Sequence, residues 1–152
     1  MPMLNHCKKV WTNFLSCGGF DAQALSGLKL VSASKGRIIC ELPLEQKHLN
    51  RLGGCHGGLL STIVDVGGSL AIAAENMFAT GVSTDLNVSF VSGAKLGETL
   101  TIDSRCDRIG GTLAYTTVEV KVGDKVVALG RHTKFVRLAH KTNAEKKASE
   151  SK

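Results

Sequence analysis

Five cysteines are scattered through the chain (Cys7, Cys17, Cys40, Cys55 and Cys106), and no two of them stand at CxxC spacing. With the five histidines they form no zinc-ligand pattern. Neither a metal nor another cofactor is expected, and reduced thiols are the default for an odd set spaced this way. A run of about 20 mostly apolar residues is also missing, so no membrane-spanning helix is expected. The first 20 residues hold no apolar core long enough for a secretory leader. They are basic and carry no acid before Asp21, as a mitochondrial address would, but they contain no Arg. The sequence closes Glu150-Ser151-Lys152, without the final Leu of a peroxisomal tripeptide. A cytoplasmic location, a mitochondrial one, or both are expected. Neither GxGxxG nor a P-loop occurs, which removes the usual Gly-rich nucleotide sites, and no internal repeat is visible.

What is present is one domain's worth of chain, 152 residues of ordinary globular composition. The net charge of +6 raises the question of a nucleic-acid partner. The excess lies at the ends: Lys8 and Lys9 near the start, and Arg137, Lys141, Lys146, Lys147 and Lys152 against Glu145 and Glu150 near the finish. The body between them is almost balanced, so no nucleic-acid surface is expected.

The stretch from Gly53 to Met77 organises the rest. Gly53-Gly54-Cys55 leads into His56-Gly57-Gly58, and the chain then stays apolar from Leu59 to Ala74 with one charge, Asp65. A helix apolar on nearly every face is buried, and a carboxylate on it must be paired, hydrogen-bonded or protonated. Asp65 is therefore expected to be a buried functional acid. Gly57 and Gly58 leave the first-turn N–H groups unshielded, an end suited to an anion or a polarised carbonyl oxygen. Gly67-Gly68 weakens the helix, and leaves room either for a bound chain or for close approach of another element.

The remaining pattern predicts a helix at 5–16, with Val10, Trp11, Phe14 and Leu15 on one stripe, ended by Gly18-Gly19. Strands are predicted at 28–33 and 37–44, with Pro43 at an edge or bulge, and then at 82–91, 99–108, 113–122 and 125–136. In the 82–91 strand, Val82, Thr84, Leu86, Val88 and Phe90 are expected on one face, and Ser83, Asp85, Asn87 and Ser89 on the other. Three segments follow: an N-terminal helix and linker at 1–22, one α+β domain at 23–138, and a disordered polar tail at 139–152.

Several of these residues recur together in a known family. Asn50, Gly53 and His56-Gly57-Gly58, then Asp65, then Gly81-Val82-Ser83 with Asp85 and Asn87, then Ala94-Lys95-Leu96-Gly97-Glu98 and Gly130-Arg131-His132-Thr133-Lys134 resemble the hotdog-fold acyl-CoA thioesterases of PaaI-like type. The likeness spans about 25–136. It implies a sheet wrapped around the long helix, two subunits paired through their sheets, two such dimers joined as a homotetramer, and a site between subunits. Asp65 of one chain would then face Asn50, His56 and Gly57 of the other. The reaction implied is hydrolysis of an acyl-CoA, with a medium- or long-chain fatty acyl group carried over. Gly57 N–H would hold the thioester oxygen and Asp65 would act as base or nucleophile. Ser83 would orient the water, Asn50 would fix the water or the sulfur, and His56 would support the turn. Coenzyme A would run along Ser83, Asp85 and the segment Phe90, Val91, Ser92, Gly93, Ala94 and Lys95. It would also meet the turn Arg108, Ile109, Gly110, Gly111, Thr112 and Leu113. In this arrangement Lys95 and Arg108 neutralise phosphates, and Gly110-Gly111 offers N–H groups. The competing expectations are a hotdog hydratase or dehydratase acting on acyl thioesters, and a non-catalytic acyl-CoA-binding protein.

Overall fold

The computed structural model describes residues 1–151. Two N-terminal helices, α1 (Pro2–Ser16) and α2 (Phe20–Ala24), precede a hairpin of β1 (Lys29–Ser34) and β2 (Arg37–Pro43). A 3-10 turn at Gln46–His48 leads to the long helix α3 (Gly57–Ala73). The strands β3 (Val82–Phe90), β4 (Thr99–Ile109), β5 (Leu113–Val122) and β6 (Lys125–Phe135) follow, and α4 (Arg137–Glu150) closes the chain. All six strands form one antiparallel sheet in the order β1-β2-β4-β5-β6-β3. The sheet curls over α3, the hotdog arrangement, and every predicted strand is present to within a residue or two at each end. No described helix is long and apolar enough to cross a membrane.

Glycine lets α3 sit unusually close to the sheet. A Cβ at Gly67 would lie 2.6 Å from Ser104 Oγ, and one at Gly68 would lie 2.5 Å from Thr116 Oγ1. Of the two uses open to Gly67-Gly68, the structure shows close approach. Leu60, Ile63, Val64 and Leu70 of α3 bury their side chains with Ile38, Leu42, Leu100, Ile102 and Val118 of the sheet and with Val10 and Trp11 of α1. Burying each large apolar side chain contributes roughly 1.5–3 kcal/mol.

Two expectations fail. The polar tail is not disordered: residues 137–150 form α4, while Lys152 lies outside the described residues. Asn143 of α4 accepts from the N–H groups of Phe78 (2.7 Å) and Ala79 (3.0 Å) and donates to Ala79 O (3.0 Å), and Lys146 Nζ lies 3.1 Å from the centre of the Phe78 ring. These bonds reach 64 or 65 residues back along the chain, so local composition carries no trace of them. The second failure is the alternation of β3. Ser83 pairs with Lys134 and Asp85 with Thr133, which leaves Thr84 as an extra residue in a β-bulge. The bulge moves Ser83 onto the α3-facing side, together with Leu86, Val88 and Phe90.

Candidate active site

The N-terminus of α3 is built for one free donor. His56 is its N-cap, and Nδ1 accepts from Gly58 N–H at 2.8 Å. The N–H groups of Leu59 and Leu60 both return to His56 O. Gly57 N–H is left with no acceptor among the described residues, at the positive end of the helix dipole. The ring of Phe90 walls this point, 3.4 Å from where a Gly57 Cβ would stand. The preceding loop is closed on itself. Asn50 Oδ1 accepts from Leu52 N–H (2.9 Å) and Gly54 N–H (3.2 Å), with Gly53 at φ +80°. Cys55 N–H then donates to Ala94 O at 2.8 Å, tying the loop to the 90–95 segment. Burial pushes the Cys55 thiol up to about 11, so it supplies little thiolate beside His56.

Asp65 comes two turns later. Contrary to expectation its side chain is 48% exposed. It lies with Ser61 and Thr62 on the one strip of α3 that the single chain leaves open. Beneath it is a buried polar group to which the sequence reading assigns no role. His132 is fully buried, with Nδ1 3.1 Å from Asp65 O, Nε2 2.8 Å from Ser83 Oγ and Nε2 3.5 Å from Asp65 Oδ1. A backbone carbonyl only accepts, so Nδ1 carries the proton and Nε2 accepts from the Ser83 hydroxyl. Burial holds His132 below the ordinary histidine range, opposed by the Asp65 charge, which agrees with a neutral ring. Lys134, two residues on, is also buried on this face, and its Nζ donates to Ser69 Oγ at 2.6 Å. A signal for both residues existed: on β6, Ala128, Gly130, His132 and Lys134 alternate inward, so two titratable side chains face the helix.

Within one chain the expected residues form two groups. Asn50, His56, Gly57, Phe90, Ala94 and Lys95 gather at the start of α3. Asp65, Ser83 and His132 gather two turns further on, about 12 Å along the helix axis from Gly57. The segment at 90–95 and the turn at 108–113 lie at opposite ends of β3, since Phe90 pairs with Ala128 while Val82 and Leu113 both pair with Phe135. That separation is roughly 25 Å. The turn itself is partly spent. Gly110 N–H donates to Leu113 O at 2.8 Å, His140 Nε2 donates to Gly110 O at 2.9 Å, and Arg137 donates to Thr112 Oγ1 at 3.1 Å. Gly110 therefore does not offer the N–H expected of it. Ser92 is likewise engaged, with Val126 O. Asp85 lies beyond the bulge, on the face away from α3. Among the described residues no three His, Cys, Asp or Glu side chains are grouped to hold a metal ion.

A helix wrapped by one sheet, with a bare donor at its tip and a carboxylate two turns on, defines a hotdog-fold thioester hydrolase. The chain belongs to the thioesterase superfamily, whose domain matches residues 52–135. A putative esterase of Schizosaccharomyces pombe is 42% identical over 139 residues, covering 90% of this chain and 86% of that protein. Human acyl-coenzyme A thioesterase 13 is 42% identical over 116 residues, covering 75% of this chain and 83% of that protein. The crystal structure of zebrafish thioesterase superfamily member 2 superposes with a TM-score of 0.80 at 38% identity, over 87% of this chain and 96% of that one.

Proposed function

We propose that this protein hydrolyses fatty acyl-CoA thioesters at a site completed by two copies of the chain. The observation that carries this reading is the free Gly57 N–H set on the same helix as Asp65, too far from it to share one carbonyl. β3 supplies the means of joining two copies. It is an edge strand with no hydrogen-bonding neighbour on its outer side among the described residues, and its apolar residues are open, Leu86 at 42% and Phe90 at 59%. Such an edge is a template for another strand. Antiparallel pairing of β3 with its copy sets the Ser83 end of one strand beside the Phe90 end of the other. Asp65, Ser83 and the 108–113 turn of one copy then approach Gly57, Asn50 and Lys95 of its mate.

In that setting Gly57 N–H donates to the thioester oxygen, and the bond strengthens as the oxygen gains negative charge. One such donor contributes about 3 kcal/mol. Asp65 takes a proton from water as the water oxygen attacks the acyl carbon. The C–S bond then breaks, and the sulfur leaves with the proton. Direct attack by Asp65, giving an anhydride, is the other route a carboxylate allows. Ser83, whose proton is committed to His132, presents its oxygen to the water as an acceptor. The acyl chain lies along α3 in the groove of about 280 Å3 lined by the apolar Phe20, Ala24 and Leu59 and by Thr62, Lys47, His48, His56 and Gly58. That groove suits an aliphatic chain of medium or greater length.

Thiol release across an acyl-CoA series tests the reading, with Asp65→Asn lowering kcat by about 10² or more. Turnover unchanged in that variant refutes it, and water addition to an enoyl-CoA without thiol release would assign a hydratase instead. Single turnover in labelled water separates the two routes, because label enters Asp65 only after direct attack.

A further inference from the structure

The groove that Phe20 and Leu59 share is more apolar than its residues suggest, because the polar atoms on its walls are engaged elsewhere. Lys47 turns its Nζ to Ser26 Oγ at 2.6 Å, which leaves its methylenes to the groove. Thr62 Oγ1 donates to Gly58 O at 2.8 Å, inside its own helix. His48 is buried and uses both ring nitrogens: Nδ1 accepts from Glu45 N–H and Nε2–H donates to Ala24 O, each at 2.9 Å. At the rim stands Phe20, a large aromatic ring that is 71% exposed.

Phe20 and Ala24 are four residues apart, so they lie on one face of α2, and both line the groove. α2 does not hold that face in place by itself. Five residues are too few for a helix that stands alone, and it follows α1 across Gly18, at φ +64°, and Gly19. Two anchors fix its far end. Leu25 is buried in the core, and the carbonyl of Ala24, the last helical residue, accepts from His48 Nε2–H. The same histidine meets the turn that precedes Gly57, since His48 O accepts from His56 N–H at 2.9 Å. His48 therefore sets the Ala24 end of α2 beside that turn. Phe20, about 6 Å further along α2, stands at the remote end of the groove.

We propose that α2 selects the acyl length: the Phe20 ring packs on the distal part of a long acyl chain, and His48 is the positioning residue that holds the ring there. A chain long enough to reach Phe20 takes the exposed ring out of water and gains that contact. A short chain ends beside Ala24 and leaves the ring as it is. The preference is thus a matter of apolar burial at the far end of the groove, separate from the chemistry at the carbonyl. This inference rests on the thioesterase reading for its substrate, and on the groove alone for the binding of the chain.

The test is the ratio of kcat/KM for lauroyl-CoA to that for butyryl-CoA, read as thiol release by the full chain. Phe20→Ala lowers this ratio about tenfold or more, the loss expected when one aromatic side chain is no longer buried. His48→Phe keeps a ring of similar size and gives up both hydrogen bonds, and it lowers the ratio in the same direction although Phe20 is still present. The double variant falls no further than Phe20→Ala alone, because both changes act through one ring. A histidine with only a structural role would lower the melting temperature and slow both substrates alike, leaving the ratio in place. A ratio within about twofold of the wild type in either folded variant, or effects that multiply in the double variant, overturns the proposal. So does a smaller assembly of Phe20→Ala by light scattering with the ratio unmoved, which would assign the ring to a contact between copies. If His48→Phe does not fold, Phe20→Ala, at an exposed position, still decides. A wild-type protein that releases no thiol from either substrate defeats the thioesterase reading. Displacement of a fluorescent fatty acid by laurate then tests the groove, and equal affinity in the wild type and Phe20→Ala overturns the proposal.

Discussion

Gly57→Pro isolates the one atom on which the proposed reaction depends. The substitution removes the N–H and puts the ring Cδ on that nitrogen in its place, so the donor is both lost and blocked. Position 57 is the first residue of α3, where proline is favoured because that N–H has no partner inside a helix. A residue before proline must be extended, and His56 already is, at φ −70° and ψ 132°. A Cβ at 57 would stand 3.4 Å from the Phe90 ring, an ordinary contact. The fold therefore tolerates the change, and the stiffer unfolded chain raises stability by roughly 0.4–1 kcal/mol. If Gly57 N–H holds the developing oxyanion, kcat falls by about 10²–10³, or roughly 3–4 kcal/mol of transition-state stabilisation. Gly57→Ala is the matched control, because it adds the same Cβ and keeps the N–H. Thiol-release kinetics read the loss, and thermal unfolding by circular dichroism confirms the fold. A proline variant that melts no lower than the alanine variant and turns over within about fivefold of it would refute the oxyanion assignment.

Two further outcomes follow from the geometry. His132 titrates in the folded protein below its ordinary value of 6.5, so the unfolded chain takes up the proton first as pH falls. This contribution to stability is complete above about pH 6.5 and is lost as pH drops toward the folded value, by up to about 1.4 kcal/mol per pH unit; chemical denaturation between pH 7 and 5 should show a shallower slope in His132→Gln. Leu86→Lys places a charge in the middle of the open edge of β3; if β3 pairs with its copy as proposed, light scattering should report a smaller assembly than for the wild type, with kcat/KM lowered at least about tenfold.

How far the sequence could be read depended on the range of the contacts. The strands were legible because their turns are local: Gly36 and Gly123 take φ +67° and +56° between alternating runs. The start of α3 was legible because His56-Gly57-Gly58 caps itself through a bond spanning two residues. Asp65 stood out as the single charge in an apolar run, yet its exposure did not, because the strip of helix it occupies looks apolar only in its neighbours. α4 was missed because what fixes it is Asn143 bonded to the backbone of Phe78 and Ala79. The burial of Lys134 is not legible in the sequence, since its depth depends on α3 lying close above it.

The bulge at Thr84 shows why an accurate pattern can still give the wrong face. The alternation from Val82 to Phe90 has no flaw, and an unbroken strand would have turned Ser83 to the same side as Asp85 and Asn87, away from α3. One extra residue reverses the first two positions and leaves the rest as they were. Thr84 Oγ1 donates to Thr133 O at 3.1 Å, giving the inserted residue a bond to the neighbouring strand. The reversal brings a hydroxyl to His132 Nε2, which otherwise would be a buried acceptor with only the Asp65 carboxylate, 3.5 Å away, beside it. Leaving such an acceptor unmet costs about 1–3 kcal/mol. The bulge and the buried histidine therefore stand or fall together, and the departure from ideal strand geometry falls at the position that turns Ser83 toward His132 and the Asp65 side of the sheet.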